Sequence, residues 1–180
     1  MTETTLVGLC GSLRAESLNR KLMLEAARRF DGAFVEGDLR LPLYDQDLQD
    51  RGMPESVTRL YEQVRAADAV VIACPEYNKA PPGVLKNALD WLSRFKGWPM
   101  EGKPTAILSA TAGRSGGERT QSILRLMLVP HRAAVLSYPE VLVGHAQTHF
   151  DAEGRVVTDS YIRMLDETMA RLQAQISVPA

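Results

Sequence analysis

The segment Ala69–Cys74 reads AVVIAC, an apolar run with no polar alternation. A strand with one wet face alternates, so an unbroken run belongs to a strand covered on both faces, as in the centre of a parallel sheet flanked by helices. Thr5–Cys10 (TLVGLC) and Pro104–Ser109 (PTAILS) repeat the pattern, and Ala33–Leu39 is a weaker version of it. A fifth strand falls in Ala133–Val143, where Pro139 marks a break. Segments of helical spacing lie between them. Leu18–Phe30 puts Leu18, Leu22, Ala26 and Phe30 on one face, behind an N-cap at Ser17. Glu55–Ala67, Pro82–Phe95, Glu118–Val129 and Asp159–Ile176 are the other helices, with Pro82 suited to a first turn. Arg40–Pro54 and His145–Thr158 read as loops.

Strands alternating with helices predict an α/β fold with a doubly wound parallel sheet. One arrangement of this class is the flavodoxin-like three-layer sandwich, with a five-stranded parallel sheet of order 2-1-3-4-5. At 180 residues the chain is expected to form a single domain over 1–180. Its 45% hydrophobic and 24% charged residues are those of a globular chain rather than a disordered one. A net charge of −1, with Lys and Arg spread along the chain, gives no reason to expect a nucleic-acid or membrane partner. The two cysteines, Cys10 and Cys74, end buried strands and suit a reducing compartment, where they are core residues rather than redox thiols. Met1–Thr5 is short and polar, unlike a secretory leader, and no apolar run nears the roughly 20 residues that cross a bilayer. The expected location is cytoplasmic.

In an open parallel sheet, ligands sit beyond the carboxyl ends of the strands at the switch point. In the order 2-1-3-4-5 the loops after strands one, three and four meet there. The first, Gly11–Arg20, combines Ser12, Arg14, Ser17, Leu18 and Asn19 at a helix N-terminus, where free amides and the helix dipole favour an anion. It is neither GxGxxG nor a Walker A loop, and hydroxyls with one Arg suit a phosphate monoester better than a triphosphate. The same residues also suit an ordinary capped turn with a surface Arg. The second loop, Pro75–Gly83, holds Pro75, Glu76, Tyr77 and Asn78. Its prolines stiffen an extended backbone that could border a planar heterocycle, or simply close the core with an aromatic. The third, Ser109–Gly117, includes Ser109, Thr111 and Gly113. Its glycines permit close backbone approach to a ligand and amide bonds to a flavin carbonyl edge, or they make a flexible linker.

Other features read more plainly. His145 and His149 have chelate spacing but no evident helix and no third ligand, so no metal is assigned. Asp45, Asp47 and Asp50 lack EF-hand spacing and read as a surface loop near the pocket rim. The helix with Val84, Leu85, Ala88, Leu89, Trp91, Leu92 and Phe95 is apolar over more than one stripe. The surplus suggests a subunit contact, with burial under an overlying loop as the alternative.

Taken together, GSLRAESLNR, PEYNKAPPGVLKNALDW, LPLYDQDL and the Ser109–Gly117 loop resemble the NAD(P)H-dependent FMN reductase family, from about Val7 to about Gly144. That family includes quinone, azo-compound and chromate reductases. The resemblance implies the flavodoxin-like fold, tightly bound FMN, NADPH or NADH as co-substrate, and two-electron reduction of small acceptors; one pocket serving donor and acceptor in turn predicts alternating, ping-pong kinetics. It implies that Ser12, Arg14, Ser17, Leu18 and Asn19 hold the phosphate, that Pro75, Glu76, Tyr77 and Asn78 border the isoalloxazine, and that Ser109, Thr111 and Gly113 lie near its pyrimidine side. It also implies a homodimer or homotetramer. Lys79, Ala80, Arg114 and Ser115 depart from the family pattern where the open flavin face should lie. No catalytic side chain is assigned. The competing readings are a flavodoxin-type electron carrier and a flavin-binding sensor. Near-zero net charge and 6% aromatics favour the reductase over the carrier.

Overall fold

The computed structural model describes residues 3–176. Strands β1 (Thr5–Cys10), β2 (Ala33–Gly37), β3 (Ala69–Ala73), β4 (Pro104–Ala110) and β5 (Ala134–Val135) form a parallel sheet of order β2-β1-β3-β4-β5, and β6 (Val141–Val143) also pairs with β4. The helices are α1 (Leu18–Ala27), α2 (Gln46–Arg51), α3 (Glu55–Ala66), α4 (Gly83–Leu92), α5 (Glu118–Leu128) and α6 (Asp159–Ile176). This is the expected flavodoxin-like architecture.

Successive residues of a strand face opposite sides of the sheet, so a strand covered on both faces serves two cores. Val71 and Ala73 of β3 pack with Leu22, Met23 and Ala26 of α1 and with Leu165, Met169 and Leu172 of α6. Val70 and Ile72 pack with Leu60 and Val64 of α3, Leu85 and Leu89 of α4, and Leu124 of α5. The unbroken apolar run is the direct record of that double burial.

Three expectations change. The fifth strand is two short pieces, one at each end of β4: Pro104 is level with Ala134, and Leu108 with Val141. The chain leaves the sheet between them, through a cis Tyr138–Pro139 bond. Residues 40–54 are not all loop, because α2 forms there. Asp45 caps it by accepting from the Asp47 amide at 2.9 Å, and Gly52 ends it at φ 137°. No residue of α2 is buried, so it has no apolar stripe to betray it.

The third change concerns α4. Its apolar surplus is covered by the chain's own 41–45 segment. Trp91 Nε1 and Asn87 Nδ2 both donate to the Pro42 carbonyl, at 2.8 and 2.9 Å, and the Tyr44 amide donates to Asn87 Oδ1 at 2.8 Å. The Tyr44 ring meets Trp91 edge-on at 5.0 Å. That face therefore requires no second subunit. Among the described residues no helix is long and apolar enough to cross a membrane.

Candidate functional site

The carboxyl ends of β1, β3 and β4 lie side by side, and the loops that follow them enclose a cavity of about 230 Å³. The first loop contributes Ser12, Arg14, Ser17, Leu18 and Asn19, the second Pro75, Glu76 and Tyr77, and the third Thr111. Ala110, Ala112 and Gln147 also line it. Asn78, Ser109 and Gly113 do not. Gln147 comes from a short 3-10 turn, Ala146–Thr148, inside a stretch read as polar loop. Nothing in its local sequence signals its place, which comes from the packing of that turn against β4.

At the start of α1, Ser17 accepts from the Arg20 amide at 3.2 Å, and its carbonyl accepts from Lys21. The Leu18 and Asn19 amides have no acceptor among the described residues. They are orphan donors of a first helical turn, at the positive end of the helix dipole. Ser12 and Ser17 are buried beside them. Arg14 is exposed at the mouth, and among the described residues no carboxylate lies within ion-pair reach of its guanidinium.

Asn19 does a different job from the one its residue type suggested. Its Nδ2 donates to the Ala110 carbonyl at 2.8 Å, and its Oδ1 accepts from the Ala110 amide at 3.0 Å. Both ends of the side-chain amide therefore lock the first loop to the end of β4, leaving the backbone amide for a ligand.

The second loop is not extended throughout. Tyr77 and Ala80 exchange two backbone hydrogen bonds, at 3.0 and 3.1 Å, across Asn78 and Lys79, which have φ of 52° and 67°. Positive φ at both central residues makes this a tight primed turn, where Asn is at home and Lys is strained. The turn carries Asn78 away from the cavity and leaves Tyr77 half-exposed at its edge. Glu76 Oε2 accepts from the Thr120 amide at 3.3 Å, so its carboxylate rests on the N-terminus of α5. Thr120 is fully buried, and its hydroxyl contacts the Pro75 carbonyl and the Cys74 thiol, each at 3.3 Å. These contacts fix the loop from beneath.

The third loop is pinned, not a flexible linker. Ser109 Oγ donates to the Gly116 carbonyl at 2.5 Å and accepts from Gln121 Nε2 at 3.0 Å, while the same nitrogen donates to the Val141 carbonyl at 2.9 Å. Ser109 is thus spent inside the loop. Thr111 and Val143 are joined backbone to backbone at 3.0 Å, as are His145 and Gly113 at 3.1 Å. The Ala112 and Gly113 amides have no acceptor among the described residues.

Burial pushes the Cys74 thiol up to about 12 and raises that of Cys10, so both stay protonated near neutral pH and behave as core. His149 Nδ1 lies 2.8 Å from Thr158 Oγ1, and its ring meets Tyr161 edge-on. Among the described residues no group of three or more His, Cys, Asp or Glu could hold a metal ion.

A carboxyl-edge cavity with orphan amides, hydroxyls and a free guanidinium at one end, and two rigid backbone walls at the other, fits a flat ring system carrying a phosphate. Comparison with known proteins points the same way. Residues 4–148 match the family model described as NADPH-dependent FMN reductase. The chain is 42% identical to an NAD(P)H-dependent FMN reductase of Pseudomonas aeruginosa over 173 residues, covering 93% of this chain and 92% of the relative. It is also 42% identical to a quinone reductase of Escherichia coli K12 over 158 residues, covering 85% and 84% of the two chains. The structure of the flavoenzyme NAD(P)H:(acceptor) oxidoreductase FerB from Paracoccus denitrificans superposes with a TM-score of 0.87 at 32% identity, covering 96% of this chain and 97% of that one. On the fold, the site and these likenesses together, the chain belongs to the NADPH-dependent FMN reductase family.

Proposed function

We propose that this chain is one FMN-binding domain that passes hydride equivalents from NADPH or NADH to a small acceptor: a quinone, a nitro or azo compound, chromate or free flavin. The observation that carries the reading is the set of Leu18 and Asn19 amides and the Arg14 guanidinium, all without a partner among the described residues, beside Ser12 and Ser17. That set matches the charge and donor demand of a phosphate monoester. FMN, when bound, supplies the two-electron chemistry, and the chain supplies position and electrostatics. Pro75–Tyr77 and Ala110–Ala112 form the two walls for the ring, and the Ala112 amide, without an acceptor among the described residues, suits its carbonyl edge. Tyr77 shields the open side. One open side serves donor and acceptor in turn, which is the basis for alternating kinetics.

Family membership favours the reductase over an electron carrier. A homodimer or homotetramer belongs to the same reading, supported by the exposed Leu126 and Val129 at the outer end of α5. Cytoplasmic placement is supported by two buried, unpaired cysteines, and the absence of nucleic-acid and membrane partners by a net charge of −1.

The purified protein is expected to be yellow, to bleach when NADPH is added without air, and to turn over many times with a quinone and no partner protein. A protein that binds FMN but needs a protein partner for every turnover is a carrier instead. Arg14→Ala removes one charge-assisted bond, worth about 1.5–3 kcal/mol. The FMN Kd should therefore rise roughly ten- to hundred-fold. An unchanged Kd by flavin fluorescence titration would place Arg14 away from the phosphate.

A further inference from the structure

A second cavity, of about 520 Å³, lies on the far side of the first loop, at the carboxyl ends of β1 and β2. Ser12, Leu13, Arg14, Arg20, Asp38 and Arg40 are among the residues that line it. Leu13 and Arg14 also border a third, apolar hollow of about 510 Å³, closed by Tyr77 and Pro82–Val84. The Leu13–Arg14 partition is therefore shared, and a long ligand can lie across it with one end in each hollow. The site for FMN lies on the inner side of the same partition.

The charges of the second cavity are not balanced within the chain. Arg20 is spent on Glu36, in a two-pronged pair with both contacts at 2.7 Å. Arg40 is held only loosely: its Nη1 is 3.4 Å from Asp38 Oδ1, its Nη2 donates to the Leu13 carbonyl at 3.1 Å, and it is 63% exposed. Arg14 pairs with no carboxylate among the described residues. Two guanidiniums thus face one carboxylate, Asp38, whose Oδ1 also accepts from the Arg40 amide at 3.0 Å and whose Oδ2 has no partner among the described residues. In dinucleotide-binding doubly wound folds an acidic residue about 20 positions past the first loop accepts from the ribose 2′-hydroxyl of NADH, or an Arg there takes the 2′-phosphate of NADPH. The chemistry of this cavity, a carboxylate for a sugar hydroxyl and an Arg fork for a phosphate, asks for a phosphorylated ribonucleoside. The adjoining apolar hollow asks for a flat ring.

We infer that this second cavity holds the adenosine end of the reduced nicotinamide dinucleotide. Arg40 grips the 2′-phosphate, Asp38 accepts from the neighbouring 3′-hydroxyl, and the nicotinamide ring reaches the apolar hollow by Tyr77. The inference rests on the reductase reading and deepens it. It makes Arg40 the residue that sets preference for NADPH over NADH.

The test uses the protein as purified and the probe adenosine 2′,5′-bisphosphate, with adenosine 5′-monophosphate as the comparison. Calorimetry should show the bisphosphate binding more tightly than the monophosphate and competing with NADPH. Arg40→Gln, at an exposed position, should weaken bisphosphate binding about ten-fold, as expected for the loss of one charged hydrogen bond. It should raise the KM for NADPH by a similar factor while leaving the KM for NADH as it was. Equal effects on NADPH and NADH, or bisphosphate binding untouched by Arg40→Gln, would overturn the assignment. The binding measurement needs no turnover, so the two failures separate. Flavin bound and reducible with no bisphosphate affinity sinks this inference alone, whereas no affinity for FMN sinks the reductase reading beneath it.

Discussion

Gly116→Ala is expected to destabilise the protein by about 2–4 kcal/mol and to loosen its hold on FMN. Gly116 has a φ of 63°, and a Cβ there would stand 2.5 Å from the Leu142 carbonyl carbon and 2.7 Å from its oxygen. The left-handed backbone alone costs an L-residue about 1–2 kcal/mol. The contact is with backbone of the segment carrying β6, which cannot swing aside as a side chain could, and overpacking of this kind adds about 1–3 kcal/mol. Relief requires the third loop to lift off β6, pulling the Gly116 carbonyl from Ser109 and disturbing Thr111 and Ala112 at the cavity wall. Gly113 in the same loop is the control. It has no positive φ, and a Cβ there meets nothing within 4 Å, so Gly113→Ala should shift stability by no more than about 0.5 kcal/mol. Urea melts of the two variants decide the matter. Coincident curves would mean that the loop does not press on β6 as described.

The second large effect lies away from the site. Glu25 of α1 is 1% exposed, and its carboxylate meets three guanidiniums: Arg28, Arg29 at 3.0 Å and Arg155 at 2.5 Å. Arg29 continues to Asp166 of α6 at 2.7 Å, and Arg155 belongs to the 151–155 turn. One buried carboxylate therefore ties α1 to α6 and to that turn. Removing one member of a buried pair costs about 3–5 kcal/mol when the partner is left dry. Here Arg28 and Arg155 are about half in water, so water takes up part of the loss, and about 2–3 kcal/mol is expected for Glu25→Gln.

The same group gives a pH dependence. Burial alone would push the Glu25 carboxyl up, but its bonds to Arg29, Arg155 and Arg28 outweigh that and hold it below the ordinary value of 4.5. A carboxyl that is more acidic folded than unfolded contributes its full stability above the unfolded value. That contribution is lost as pH falls through the folded one. Wild type should therefore lose stability steeply below about pH 4.5, and Glu25→Gln should show a shallower acid limb. Parallel acid limbs in pH-resolved denaturant melts would show that Glu25 is not the group responsible.

The donor-rich first loop and the stiff second loop were legible as residue types at known strand ends. What those residues bond to was not. Asn19 meets Ala110 across 91 positions of sequence, and Glu76 meets Thr120 across 44. Thr120 and Gln121 hold two of the three loops, yet in sequence they are ordinary polar residues of an amphipathic helix. The turn at Asn78–Lys79 was hidden because Lys gives no hint of positive φ. The surplus apolar face of α4 pointed to a second subunit, where the structure shows the Pro42–Tyr44 strap covering it.

The amino-acid order by itself determined the sheet, its parallel sense and the edge whose loops carry the donors. Burial on both faces writes itself into consecutive residues, and helix spacing into each stretch between strands. Only the tertiary structure decided which polar groups of that edge are consumed in holding the loops and which remain free for a phosphate. That division is set by hydrogen bonds between segments far apart in the chain, and a donor looks the same in sequence whether its partner is a distant carbonyl or a ligand.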